Sequence, residues 1–530
     1  MNRKHYATYS IAVCLLLHGC TTEPSQPPPG GAKLNHSIAS ASKDDRQPAA
    51  AAESEVRPLP LGHSWDVFML QGQRIGYGHT TIRRVAGEKD DSIRTENVSR
   101  LSLLRGGDKT EQELSTASLE TPQGELISFQ SEMRMGPGII RSSGKVVGEK
   151  LVVDMTGPGE TEPTRLSLPW SHDCLGPFAN VQSLLRRPMM PGERRSFKTI
   201  VPGFNQIGEM TLAAKDFEPV ALLDGTRQLL RIETETRLPD GQTVKIVVWC
   251  DRSGETLKSF SETMSMETFR VTEAEATRLS DAAEFDLMPS MLVKIERPLD
   301  NPHQTKRVRY RVRLEGSDPA ESFAVGPAQS IEPIDSRTAE ITVYAIRPGE
   351  KEGNSDAPDD KPTDADLAPN HFIQSDDGLI RANAEKAAGG ESDPWRAAVA
   401  LERFVRDEVS DKNYTQAFAT AAEVARSGEG DCTEHAVYLA ALCRARGIPA
   451  RMAIGLVYME PFQAFGFHAW TEVYVDGRWT PIDATLARGG AGAAHLKIAS
   501  SNLKEASVYN LLLPVMKLIG GLRIEVVESS

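Results

Sequence analysis

Short strand-forming runs dominate the chain from Trp65 to about Leu287, clear alternation of apolar and polar positions follows to about Pro348, and the rhythm changes in the last 160 residues. From Trp65 to about Leu287, short strand-forming runs are separated by turn dipeptides: Gln71-Gly72, Gln123-Gly124, Asp224-Gly225, Asp240-Gly241 and Ser253-Gly254. The clearest hairpin runs from Gln228 to Arg237, turns at Asp240-Gly241 and returns from Thr243 to Cys250. A two-residue turn ending in glycine suits the twist of paired strands. Residues 61–287 are therefore expected to form an antiparallel β-rich domain. Further on, Val308, Tyr310, Val312 and Leu314 alternate with Arg309, Arg311 and Arg313, and Ile341 to Tyr344 reads as another strand. One apolar and one cationic face predict a small β-sandwich-like module over 288–348.

After that the period lengthens. Asp393-Pro394 is a helix cap followed by proline in the first turn, and Trp395, Ala398, Leu401 and Val405 keep helical spacing. A second helix is predicted from about Cys432 to Arg446, stopped by Gly447 and Pro449. Ala450–Tyr458, Phe467–Val475 and Arg478–Thr485 read as strands, Val508 to Ile519 as an apolar helix interrupted by Pro514, and Leu522 to Val527 as a closing strand.

Composition changes this picture at the N-terminus and between domains. Arg3 and Lys4 precede an apolar stretch, Ile11 to Leu17, too short to span a bilayer. The stretch ends in Leu17-His18-Gly19-Cys20, which resembles a bacterial lipoprotein signal, with His18 where a small residue is commoner. The resemblance implies removal of 1–19, lipidation of Cys20, export and anchoring at the cell envelope. Residues 20–60, dominated by Pro, Ala, Ser and charge, are expected to be a disordered tether, and 349–370 an acidic linker. Formal charge is −13, or −15 after loss of the signal's two cations, and no basic stripe appears. General nucleic-acid binding is thereby excluded. Cys174 and Cys250 either pair in an oxidising compartment or stay as separate buried thiols. No cysteine or histidine spacing makes a zinc site and no acidic loop suggests calcium, so neither metal nor cofactor is expected.

The chemistry concentrates in the last third. Cys432, in Gly428-Glu429-Gly430-Asp431-Cys432-Thr433-Glu434-His435, starts a predicted helix, where the helix dipole favours a thiolate. Cys443, on the same helix, suits a buried structural thiol. Asp476-Gly477 is a two-residue turn between the two strands that follow, which makes paired residue numbers sum to 953. His468 and Asp483 then share a face as diagonal neighbours, ~5–8 Å apart at their Cβ atoms. That is close enough for a carboxylate to orient the imidazole.

These pieces, GEGDCTEHAVYLAALCRARGIPARMAIGLVY followed by FHAWTEVYVDGRWTPIDAT, resemble the transglutaminase-like superfamily from about Asp377 onward. The resemblance implies a papain-like core with Cys432 as nucleophile, His468 as base and Asp483 as orienting acid. Tyr414 and Gln416 lie where relatives supply an oxyanion donor, and Trp470 is expected to border the site. His495 is a possible substitute base for which no carboxylate is evident.

The expected fold is therefore multidomain, an α+β transglutaminase-like (papain-like) domain over 371–530 preceded by mostly antiparallel β domains. The expected activity is thiol acyl transfer or hydrolysis on protein or peptide amides through a thioester. A cysteine peptidase or amidase, and a non-catalytic envelope lipoprotein binding a partner through its β domains, are the alternatives.

Overall fold

The computed structural model describes residues 56–530 except 87–90, 106–107, 136–137, 158–161, 240, 242, 262–264, 279–291, 316, 359, 411–418, 505–513, 516–517 and 519–520. The signal, Cys20 and nearly all of the tether fall outside the described residues, as does most of the predicted 508–519 helix. No described helix is long and apolar enough to cross a membrane.

Fifteen strands, from Gly62–Leu70 to Met266–Val271, form one sheet in which almost every strand pairs antiparallel with its neighbour in sequence. The predicted hairpin is present as Gly225–Arg237 and Thr243–Cys250, joined with Arg237 opposite Thr243. The first and last strands also pair, Trp65 with Val271 through Leu70 with Met266, so the sheet turns back on itself. The ends of its path are Thr164–Pro169 and Cys174–Leu175. The helix Ala179–Arg186 lies over the interior, where Gln182 donates to Thr95 at 3.1 Å. Cys174 and Cys250 are separate buried thiols, not a bridge.

Residues 288–348 depart from the expected sandwich. Gln329–Asp335, Thr338–Tyr344 and Arg307–Leu314 form a single sheet whose fourth strand, Leu522–Ser529, comes from the end of the chain. That strand matches the predicted closing one. Two of the arginines on the cationic face are met by carboxylates on the flanking strands: Arg311 pairs with Glu340 and Glu525, Arg309 with Glu340 and Glu528. The 349–370 stretch is likewise no free linker. Arg478 donates to the carbonyls of Arg347, Glu350 and Glu352, and Asp360 pairs with Arg451 at 2.7 Å, which lays this acidic segment along the C-terminal part.

In the last third, the helices Gly378–Ala388, Pro394–Glu408, Ala421–Ser427 and Cys432–Ala445 pack on a sheet of Ala450–Met459, Ala464–Val475, Arg478–Ile482 and His495–Ser501, edged by Val293–Lys294. Asp393 caps the second helix by accepting from Arg396, and Gly447 at φ 72° ends the fourth. The hairpin register sums to 953 as expected, with Val475 opposite Arg478 and Thr471 opposite Ile482. One apolar core joins Phe68, Leu101 and Met133 of the large sheet to Tyr310, Leu401, Val437 and Leu456.

Candidate active site

Cys432 is the first residue of its helix, capped by Asp431 and Glu434 in a reciprocal capping box. Glu434 accepts from the backbone of both Asp431 and Ala419 at 3.0 Å. Gly430 is needed here: a Cβ at that position would stand 2.4 Å from the Cβ of Glu434. The helix crosses the strand Ala464–Val475, tied to it by the Thr471 hydroxyl donating to the Ala436 carbonyl at 2.9 Å. That crossing brings the Ala469 backbone N–H to the Cys432 sulfur, and His468 is the adjacent residue.

His468 Nε2 lies 2.9 Å from Asp483 Oδ2, across the hairpin and just beyond the end of Arg478–Ile482. His495 Nε2 approaches the same oxygen at 3.1 Å. Asp483 Oδ1 accepts from the Thr485 backbone at 2.9 Å. Burial alone would raise the Asp483 carboxyl, but the charges and hydrogen bonds of the two histidines hold it well below the usual carboxylate range. An ionised carboxylate only accepts, so both Nε2 atoms carry the hydrogen. In neutral His468, Nδ1 is then the nitrogen able to take a proton, which is the tautomer a thiol base needs.

A second histidine on the orienting acid was not evident from sequence. His495 does have a carboxylate, the same Asp483, delivered by a strand no local pattern announced. Burial lowers the His495 imidazole, so it is a neutral donor near pH 7. Glu402, on the helix Pro394–Glu408, was also missed. It is fully buried and accepts from the backbones of Gly489 at 2.9 Å, Gly490 at 3.1 Å and Asp483 at 3.3 Å, pinning the loop that follows the acid. Burial pushes its carboxyl up to about 7, a rise its three N–H donors limit and the Asp483 charge adds to.

The expectation of a helix-start thiolate needs correction. Cys432 is 1% exposed, and burial pushes its thiol well up, reinforced by Asp431 and Glu434 and only partly opposed by the Ala469 N–H. Desolvation outweighs the dipole in this closed site. The sulfur is held as a thiol until a base takes its proton. Cys443, farther along the helix, is also raised by burial and is fully enclosed.

Trp470 is buried beside the site, its ring 6.2 Å from that of His468 and 5.3 Å from that of His495, with an indole N–H that meets no acceptor among the described residues. Gly455, opposite His468 on the neighbouring strand, makes room for it: a Cβ there would meet Trp470 at 2.8 Å and the Leu496 carbonyl at 2.0 Å. Tyr414 and Gln416 lie outside the described residues. His468, Asp483 and His495 also offer ligand atoms within 4.8 Å of one another, a spacing compatible with a metal ion. Both imidazoles, however, point at one carboxylate oxygen at N–H···O distances, so the acid stands where an ion would have to sit.

Residues 381–484 match the model of the transglutaminase-like superfamily. This part of the chain is transglutaminase-like. No curated protein matches the chain. Among solved structures, a "putative cysteine protease" from Cytophaga hutchinsonii is 18% identical over 43% of this chain and 85% of its own, with a TM-score of 0.26. A "duf1089 family protein" from Pseudomonas aeruginosa is 15% identical over 40% and 95%, with a TM-score of 0.19. A "putative protease" from Parabacteroides distasonis is 12% identical over 66% and 64%, with a TM-score of 0.16. At these identities and TM-scores the likenesses say nothing of this chain's activity.

Proposed function

We propose that the transglutaminase-like domain is a thiol acyltransferase or hydrolase acting on protein or peptide amides. The observation that carries this reading is the shared hydrogen-bonded acid, which leaves His468 Nδ1 as the proton acceptor one residue from the N–H that touches the Cys432 sulfur. The thiol proton passes to His468 Nδ1 while the sulfur forms a bond to the amide carbonyl carbon. The tetrahedral oxyanion collapses, the C–N bond breaks, and His468 returns the proton to the departing amine. A thioester remains on Cys432. An amine attacking it gives a new amide and water gives an acid, with His468 taking the proton in either case. Asp483 holds the ring and balances the imidazolium charge.

Trp470 fits a wall of the acyl site, and its unmet N–H suits a substrate oxygen. We also propose an exported, lipid-anchored protein, modified at Cys20. Incubation of the full chain with glutamine-containing peptides, followed by peptide mass mapping, tests the chemistry. An acyl adduct confined to Cys432 supports it, and turnover with no such adduct in wild type or in a deacylation-slowed sample overturns the thioester.

A further inference from the structure

The large β sheet holds a cavity of about 600 Å³ between its two halves, lined by none of the residues assigned to the acyl chemistry. We propose that this cavity is a binding site for an uncharged amphiphile, with a hydroxyl-rich head and one apolar chain. The volume falls within the usual range for a small-molecule site.

Polar and apolar side chains reach it from both halves of the sheet. On one wall Ser64, Thr80, Asn97, Thr116 and Ser131 line the cavity and stand directly opposite one another in register across five successive strands. They form a single row of small uncharged polar side chains. Asn97 donates to Thr80 at 2.9 Å and accepts from Ser99 at 2.9 Å, while the hydroxyls of Thr116 and Ser131 lie 3.3 Å apart. Each hydroxyl offers one donor and two acceptor positions, so these contacts leave capacity facing the void. The later strands present Met210, Val244, Ile246, Val248 and Met266 together with Thr234, Thr236, Ser259 and Thr268, and Phe68, Ile82, Leu101 and Leu114 stand on the strands of the polar row. An all-apolar ligand would strand the polar row without partners, and a fully polar one would leave these apolar side chains wet.

Two of the three cations lining the cavity are already ion-paired. Arg270 bridges Asp66 at 2.8 Å and Glu255 at 2.7 Å, and Lys258 pairs with Glu267 at 2.7 Å. Neither Arg270 nor Lys258 is left to receive an anionic head, and the remaining lining cation, Arg57, is exposed, which favours hydroxyl or amide groups over a carboxylate or phosphate. The helix Ala179–Arg186, contributing Val181, Gln182 and Leu185, closes one side, and the backbone of Arg57 ties the incoming chain to its end at 2.8 Å.

Dodecyl maltoside, kept below its micelle-forming concentration, is the probe, titrated into the full chain and followed by native mass spectrometry and calorimetry. Maltose tests the head alone and laurate a charged head on the same chain length. The expected result is saturable binding of one maltoside per chain, at least ten-fold tighter than laurate or maltose. Thr116→Val, which keeps shape and removes one hydroxyl, should weaken the maltoside by about 2- to 10-fold and leave laurate unchanged. Val244→Phe, which fills space beside the apolar side chains, should weaken both. Melting curves check that each variant is folded, and the wild-type arms stand without any variant. Absence of one-to-one saturable binding overturns the site. Laurate binding as tightly as maltoside, or a folded Thr116→Val with unchanged maltoside affinity, overturns the assigned head chemistry.

Discussion

Two of the sheets of this molecule use polar residues in opposite ways. In the large sheet a strand such as Gly225–Arg237 alternates buried and half-buried positions over its second half, and the polar row from Ser64 to Ser131 lining the interior is small and uncharged. In the C-terminal sheet, Ala450–Met459 and Ala464–Val475 are buried at nearly every position, packed against helices and, at Phe465, against Tyr310 of the four-stranded sheet. Buried charges there are each held by several partners: Asp483 by three donors, Glu402 by three, Glu472 by Lys497 and Arg451. A buried charge is tolerated only when it is fully satisfied. The difference teaches where single substitutions should be felt: weakly and locally in the first sheet, strongly and chemically in the second.

The sharpest way to break this contrast is Cys432→Ala. It should reduce turnover on a glutamine peptide by more than ~1000-fold while leaving the melting temperature within a few degrees, since the change removes one buried sulfur. Retained turnover would remove the central claim. Thr116→Val in the large sheet should leave turnover unchanged.

Asp483→Asn comes next. All three contacts of this carboxylate are donors, so either placement of an amide NH₂ sets it against an N–H: that of Thr485 or those of both histidines. We expect a loss on the order of 10- to 1000-fold, below the ~10⁴ of comparable serine enzymes because a thiol depends less on its acid. Superimposable pH profiles of turnover for the two proteins would show that Asp483 is only structural.

His495→Phe should cost less, about 3- to 10-fold, by removing one of two hydrogen bonds to Oδ2. With one donor gone Asp483 is less strongly depressed, so the acid limb of the turnover profile should move to higher pH. His495→Gln, which keeps an N–H, should recover part of both effects. Equal behaviour of the Phe and Gln variants would assign His495 a packing role alone.

What sequence made legible was local. The 953 register, the helix caps at Asp393 and Asp431 and the alternation of Val308 to Leu314 follow from neighbours a few residues apart. Closure of the large sheet pairs residues some 200 positions apart, and the last strand of the chain completes the sheet begun by Arg307–Leu314. Neither leaves a mark in a window of ten residues. The same holds for His495 and Glu402, each brought to Asp483 by packing between separate elements. The thiol was misjudged for a related reason: a helix dipole can be inferred from a boundary, but the depth of burial that outweighs it cannot.

The smallest expected effect concerns Glu402, and it tests whether charge in the C-terminal region is a liability where it is not catalytic. Its carboxyl is raised from 4.5 to about 7 by burial. A group whose folded value is raised contributes its full stability below the unfolded value and loses it as pH climbs through the folded one. Wild-type protein should therefore be stabilised by this group at pH 4 and lose that contribution between about pH 4.5 and 7. The penalty reaches about 3 kcal/mol when Glu402 is fully ionised. Glu402→Gln removes the titration but places an NH₂ against the N–H groups of Gly489 or of Gly490 and Asp483, so it should lower the melting temperature at pH 5. As pH rises to 8 the wild type loses ground and the variant does not, so the gap between them should narrow. Melting curves at pH 5, 6, 7 and 8 measure that gap. A gap that stays constant would mean Glu402 ionises without cost, its three backbone donors fully offsetting burial.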